Sequence, residues 1–205
     1  MPYTPRPLVA VDIDGVLNPH PVGYSHPALD VRLPGYVEHE VILTASERRL
    51  PYLRGNGIET VTGQVLVNTA HAQWIRSLLD RGVEVGWATT WEHFANEVFG
   101  PLLDLPELPL AIEFHADVKN GHHYPRMYGL GAGEWKSDAL WNRYRDRPLV
   151  WIDDGASNLA RIDMRGKPID RGAPALSIRC EGEIGLTQVQ MQQVDDWLAE
   201  LGADR

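Results

Sequence analysis

Two short apolar runs, each ending in carboxylates, constrain this chain more than any other feature of its sequence. LVAVDI at residues 8 to 13 runs into Asp14-Gly15, and PLVWIDDG at residues 148 to 155 runs into Asp153, Asp154 and Gly155. A continuous valine-rich run that stops at a turn reads as a strand buried on both faces, the habit of parallel sheets. Carboxylates at the end of such a strand lie at the edge where open α/β sheets bind their ligands. A single Asp-Gly after a strand is commonly a plain turn. Two acidic pairs at equivalent strand ends in one chain are harder to explain that way.

The rest of the chain is read around these two runs. Residues 18 to 70 are rich in Pro, Gly and His and hold two strand-like pieces, YVEHEVIL and GQVLVN, separated by ERRLPYLRGNG with its Asn56-Gly57 turn signal. They predict a β-hairpin-like flap over the end of the first strand. From Thr69 the period changes: Trp74, Ile75, Leu78 and Leu79 share a helical face, and Gly82 ends the segment. VEVGWATT reads as a second strand, LAIEFH (110–115) as a third, GEWKSDALWNRY (133–144) as a helix and PALSIR (174–179) as a strand. Thr187 and Gln190 form a capping box, and Met191, Val194, Leu198 and Leu201 make an apolar stripe, so residues 187–202 predict a terminal helix. The segment 96–133, irregular apart from its one strand, reads as a lid or a surface excursion. The expectation is one α/β domain over 1–205, with a doubly wound, mostly parallel, Rossmann-like sheet, a small hairpin flap and no large cap domain.

Charge narrows the function. The net charge is −9 and the only lysines are Lys119, Lys136 and Lys167. A broad basic surface for gripping a duplex groove is not expected, although an acidic protein can still hold a phosphate where a metal and a few cations focus positive potential. No apolar stretch is long enough for a membrane span and no signal peptide is evident, so the expected compartment is the cytoplasm. Cys180 is the one cysteine. An internal disulfide and a zinc–cysteine site are thereby excluded, and the plain reading is a small buried side chain.

The chemistry is carried by the carboxylates. Asp12 and Asp14 converge only where the backbone turns at Gly15, and Asp153 with Asp154 completes an oxygen-donor set suited to Mg²⁺ if the two strands are neighbours. No His or carboxylate spacing suggests zinc.

VDIDGVLN resembles the first motif of the haloacid dehalogenase-like superfamily, and the resemblance extends to four motifs in order over residues 8 to 155. It implies Asp12 as nucleophile and Asp14 as general acid and base. It also implies Thr89, with Thr90 the alternative, and Lys136 as phosphate-binding residues. Asp12, Asp14, Asp153 and Asp154 are the expected metal ligands, with the direct contact of the last two left open. The family's dehalogenases lack the second aspartate, so Asp14 favours a phosphate monoester. The chemistry suits these residue types: a carboxylate approaches phosphorus only if the charge on the phosphoryl oxygens is neutralised, by Mg²⁺ on one side and a lysine on the other.

Without a large cap, the resemblance implies an open site for an extended substrate such as a nucleic-acid end or a phosphoprotein; a nucleic-acid end or nucleotide is the expected substrate, with a small metabolite as the chief rival. VDIDGVLNP and the Trp after the threonines are also similar to a group of bacterial domains of this superfamily associated with RNA repair. Trp91 reads either as a base-stacking surface or, more commonly, as packing. His122, His123, Tyr124 and Arg126 read as a substrate-contacting or simply solvated loop. A phosphotransferase would share every one of these residues, and a catalytically silent binding protein is the reading from another class.

Overall fold

The computed structural model describes residues 6–20, 33–44, 57, 59–113, 132–157, 159, 161, 162 and 164–202. Their order is β1 (Leu8–Val11), β2 (Tyr36–Thr44), β3 (Thr60–Asn68), α1 (Thr69–Asp80), β4 (Glu84–Trp87), α2 (Ala132–Tyr144), β5 (Leu149–Asp153), β6 (Arg161–Ile162), β7 (Pro168–Ile169), β8 (Ala175–Arg179) and α3 (Gln188–Glu200). Four strands form a parallel sheet in the order β4-β1-β5-β8. Register sets Val11 opposite both Trp87 and Ile152. The two strands that end in carboxylates are therefore neighbours, as the metal-site expectation required.

Successive strand side chains point to opposite faces, and β1 separates two cores. Val9 and Val11 pack with Ile75 and Leu78 of α1 and Val194 and Leu198 of α3. Leu8 and Ala10 pack with Trp135, Ala139 and Leu140 of α2 and with Leu149 and Trp151 of β5. The molecule is thus α/β, a parallel sheet flanked by helices on both faces, compatible with a Rossmann-like architecture. All three predicted helices are realised, that expected over 133–144 as Ala132–Tyr144. Asn68 caps α1 by accepting from the Ala70 N–H, and Gly82 leaves it at φ +78°. Thr187 and Gln190 close the capping box of α3. No helix among the described residues is long and apolar enough to cross a membrane.

The flap is the antiparallel pair β2–β3, in register from Tyr36 opposite Asn68 to Thr44 opposite Thr60. Gly57 has φ +75°, the conformation an Asn-Gly turn asks for; Asn56 and most of that connection lie outside the described residues. Hydrogen bonds join the hairpin to the rest of the chain. The Leu66 N–H donates to Asn18 Oδ1 at 2.9 Å, and the Tyr36 hydroxyl donates to the Ile184 carbonyl at 3.3 Å.

Three features differ from the sequence reading. The strand expected at 110–115 shrinks, among its described residues, to one parallel bridge between Leu110 and Trp87. Pro109, just before it, has no N–H with which to extend the ladder back toward Leu108. Within the stretch read as irregular, Ala95–Phe99 forms a π-helical turn that runs into a helical turn at Gly100–Leu102. The short β6–β7 ribbon has no alternation long enough to announce it.

Candidate active site

The pleat that divides the core also builds the site. Asp12 follows Leu8 and Ala10 on the α2 side of the sheet, and Asp153 follows Leu149 and Trp151 on the same side. Lys136, next to the core residue Trp135, reaches between them. Its Nζ donates to Asp12 Oδ2 at 2.5 Å and to Asp153 Oδ2 at 2.7 Å. All three are buried, with exposures of 5% for Asp12, 2% for Asp153 and 5% for Lys136. Buried ions cost several kcal/mol each unless paired, and here the remaining oxygens are also satisfied. Asp12 Oδ1 accepts the Ile13 N–H at 2.8 Å, and Asp153 Oδ1 accepts the Gly155 N–H at 2.8 Å.

The balance of charge is negative. Burial holds the Asp12 carboxyl above the ordinary carboxylate range against the opposing pull of Lys136, and Asp153 and Asp14 add to the rise. Burial alone would lower the Lys136 ammonium, but Asp12 and Asp153 outweigh it and hold its pKa above the usual value. Asp12 keeps its proton chiefly because it is buried, and Lys136 keeps its own because two carboxylates face it. Such a site has a use for a further cation.

Asp154 completes the demand. Ligand oxygens of Asp12, Asp153 and Asp154 lie within 4.8 Å of one another. Glycine is required where Asp154 packs: Gly15 has φ +73°, and a Cβ there would lie 2.6 Å from Asp154 Oδ2. Three hard oxygen donors at a strand edge, two of them buried, fit Mg²⁺, which takes few protein oxygens. Asp14 lies outside that group. Its Oδ1 accepts from Asn18 Nδ2 at 3.0 Å and its Oδ2 from Trp91 Nε1 at 2.7 Å, while His20 Nε2 stands 3.8 Å from Oδ1. Of the expected metal set, the side chains of Asp12, Asp153 and Asp154 are the ones brought together.

Thr89 follows the end of β4, where the Ala88 N–H donates to the Val11 carbonyl at 2.8 Å and aligns the loop with the end of β1. It is 1% exposed, whereas Thr90 is exposed. The Trp91 ring meets Phe99 edge to face at 5.0 Å, so it is engaged in packing. Cys180 is buried, and burial, with Asp153, Asp154 and Asp12 nearby, pushes its thiol up to about 12, the unreactive state expected of a packing residue. His122, His123, Tyr124 and Arg126 lie outside the described residues.

Sequence reasoning missed the partners of Asp14. Asn18 carried a usable signal, an amide four residues after a carboxylate across Gly15: the Gly15 N–H donates to the Asn18 carbonyl at 2.9 Å and closes that turn. Trp91 carried none, because only the fold reveals that its N–H meets Asp14. Comparisons with protein-family models, with curated proteins and with solved structures find no match for this chain.

Proposed function

We propose that the chain is a Mg²⁺-dependent phosphatase of the haloacid dehalogenase type that hydrolyses a phosphate monoester through an aspartyl phosphate on Asp12. The observation that carries this reading is the buried Lys136 bridging Asp12 and Asp153, beside the Asp12, Asp153 and Asp154 oxygen cluster. Asp12, Asp153 and Asp154 would hold the ion. Bound Mg²⁺ supplies charge neutralisation for the phosphoryl oxygens. The chain's own residues supply the rest. A carboxylate oxygen of Asp12 bonds to phosphorus as the ester P–O bond breaks, and Asp14 gives its proton to the departing oxygen. Asp14 then takes a proton from water as that water bonds to phosphorus, and the Asp12–phosphorus bond breaks. Lys136 and the Thr89 hydroxyl hold phosphoryl oxygens during both transfers.

The hairpin β2–β3 is a small cover, which suits an extended substrate such as a phosphorylated nucleic-acid end, and the resemblance to RNA-repair domains favours the same class. The test is phosphate release from sugar phosphates, nucleotides, phosphopeptides and 3′- or 5′-phosphorylated oligonucleotides, with Mg²⁺ or EDTA, for the parent and Asp12→Asn. The expected result is Mg²⁺-dependent release that Asp12→Asn abolishes, highest on an oligonucleotide. Preference for a sugar phosphate would move the substrate to a small metabolite, and acceleration by added alcohols would make the enzyme a phosphotransferase. A folded parent that binds Mg²⁺ and releases nothing would overturn catalysis in favour of a binding role.

A further inference from the structure

We propose that Trp91 and Asn18 are positioning residues for Asp14, a clamp of two N–H donors that aims its carboxyl at the leaving oxygen. The proposal rests on the phosphatase reading above. Asp14 has a side-chain exposure of 37%, in contrast to buried Asp12 and Asp153, and left to itself such a carboxylate samples several rotamers. Here each oxygen is taken by a donor from a different part of the chain: Asn18 Nδ2 on Oδ1 at 3.0 Å and Trp91 Nε1 on Oδ2 at 2.7 Å.

Each donor is itself fixed. The Asn18 amide cannot turn over without loss, because its Oδ1 already accepts the Leu66 N–H of the flap at 2.9 Å. Trp91 is fixed at both ends: its backbone N–H donates to Thr89 Oγ1 at 3.3 Å and its ring stands edge on to Phe99. The residue after it, Glu92, sits at φ +46°. A non-glycine residue rarely adopts that region and persists there only where its surroundings demand it. The turn that presents the indole to Asp14 is thus held against local strain.

The chemistry of the donors matters as much as their placement. An indole N–H and an amide NH₂ donate and do not accept. Neither can take the Asp14 proton, and each carboxylate oxygen keeps a second lone pair. The proton therefore goes from Asp14 to the ester oxygen as that P–O bond breaks, and returns to Asp14 from the attacking water, with neither clamp residue diverting it.

Trp91→Phe keeps a ring against Phe99 and deletes the N–H; Asn18→Asp keeps the acceptor for Leu66 and replaces the donor with a repelling oxygen. Both are compared with the parent for kcat/KM on p-nitrophenyl phosphate, whose leaving group departs without a proton, and on the alkyl phosphate the parent cleaves best. Melting temperatures check folding. Since general acids contribute typically 10²–10⁴-fold, loss of aim is expected to cost about 10- to 100-fold on the alkyl ester and within about threefold on the aryl ester. Equal losses on both esters, or none, would overturn the clamp and leave the phosphatase standing. If Trp91→Phe does not fold, Asn18→Asp decides on the same criterion. A parent that cleaves neither ester overturns the phosphatase reading, and the clamp with it.

Discussion

The two sides of this site are held by different physics. On the α2 side, Asp12 and Asp153 are buried and bound to a buried ammonium, all three carried on regular elements of the core. On the other side, Asp14 is part exposed and bound to neutral donors from a turn and a loop, and Asp154 is kept in place by its packing on Gly15. The difference teaches a division of labour. Charge that must stay put is locked where the dielectric is low and misplacement is costly, while the carboxyl that gains and loses a proton in the proposed mechanism stays near water, aimed by bonds that are cheap to keep and to stretch.

The comparison breaks most severely at Lys136. Lys136→Met leaves two buried carboxylates facing each other, and removing one partner of a buried ion pair costs roughly 3–5 kcal/mol. Urea denaturation should show a loss of that size, and added Mg²⁺ should recover more stability in this variant than in the parent, because more negative charge is left to neutralise. A loss below about 1 kcal/mol would mean that the ammonium is not what keeps these carboxylates in place. Gly15→Ala attacks the other side. With φ +73° and a Cβ driven to 2.6 Å from Asp154 Oδ2, strain of roughly 1–3 kcal/mol is expected, with weakened Mg²⁺ affinity by titration calorimetry and the Lys136 contacts intact.

The pH dependence of stability separates the sides further. Asp12 has its folded-state pKa raised, chiefly by burial. An acid of that kind binds its proton more tightly folded than unfolded, so its contribution to stability falls as pH rises from the unfolded value of about 3.9 through the raised folded one. Without added Mg²⁺, the parent should therefore gain stability relative to Asp12→Asn as pH falls through that window, by up to about 1.4 kcal/mol per pH unit. Saturating Mg²⁺ should flatten or reverse the difference, since a cation favours the carboxylate. Identical pH profiles for parent and Asp12→Asn in EDTA would refute the raised pKa.

How much of this was legible beforehand follows the same division. The apolar runs ending at Asp12 and Asp153 and the helix around Lys136 are local patterns, whereas the face on which the carboxylates meet the lysine follows from the register and crossover of the folded sheet. The Gly82 end of α1 and the Thr187–Gln190 box of α3 were equally plain, because these residues act within a few positions of themselves, whereas the Asn68 cap emerged only from the structure. What escaped was non-local or minimal. The Trp91–Asp14 contact spans two loops, the Ala95–Phe99 π-turn differs from a helix by the placing of one residue, and the expected strand beyond β4 is reduced to the Leu110–Trp87 bridge. The Asp14 carboxylate was grouped with the metal set because sequence spacing cannot show which way a side chain turns after a strand breaks. Its partners decide that.

The smallest effect tests whether the exposed side reaches the flap. Asn18 joins Asp14 to β3 through one amide, accepting from Leu66 and donating to the carboxylate. Asn18→Ala removes both bonds and leaves the Leu66 N–H, buried in the parent, without its acceptor. A net hydrogen bond is worth about 1 kcal/mol, so global stability should fall by no more than about that amount. The local signature should be clearer, because about 1.4 kcal/mol corresponds to a tenfold change in an opening equilibrium. Hydrogen exchange of the Leu66 amide should quicken about fivefold while the amides of β1 and β5, secured in the parallel ladder, keep their rates. If exchange quickened equally in β1, Asn18 would be supporting the core and the two sides would not be separable. If Leu66 exchanged at the parental rate, the flap would be held by β2–β3 packing alone, and Asp14 would owe its orientation to Trp91.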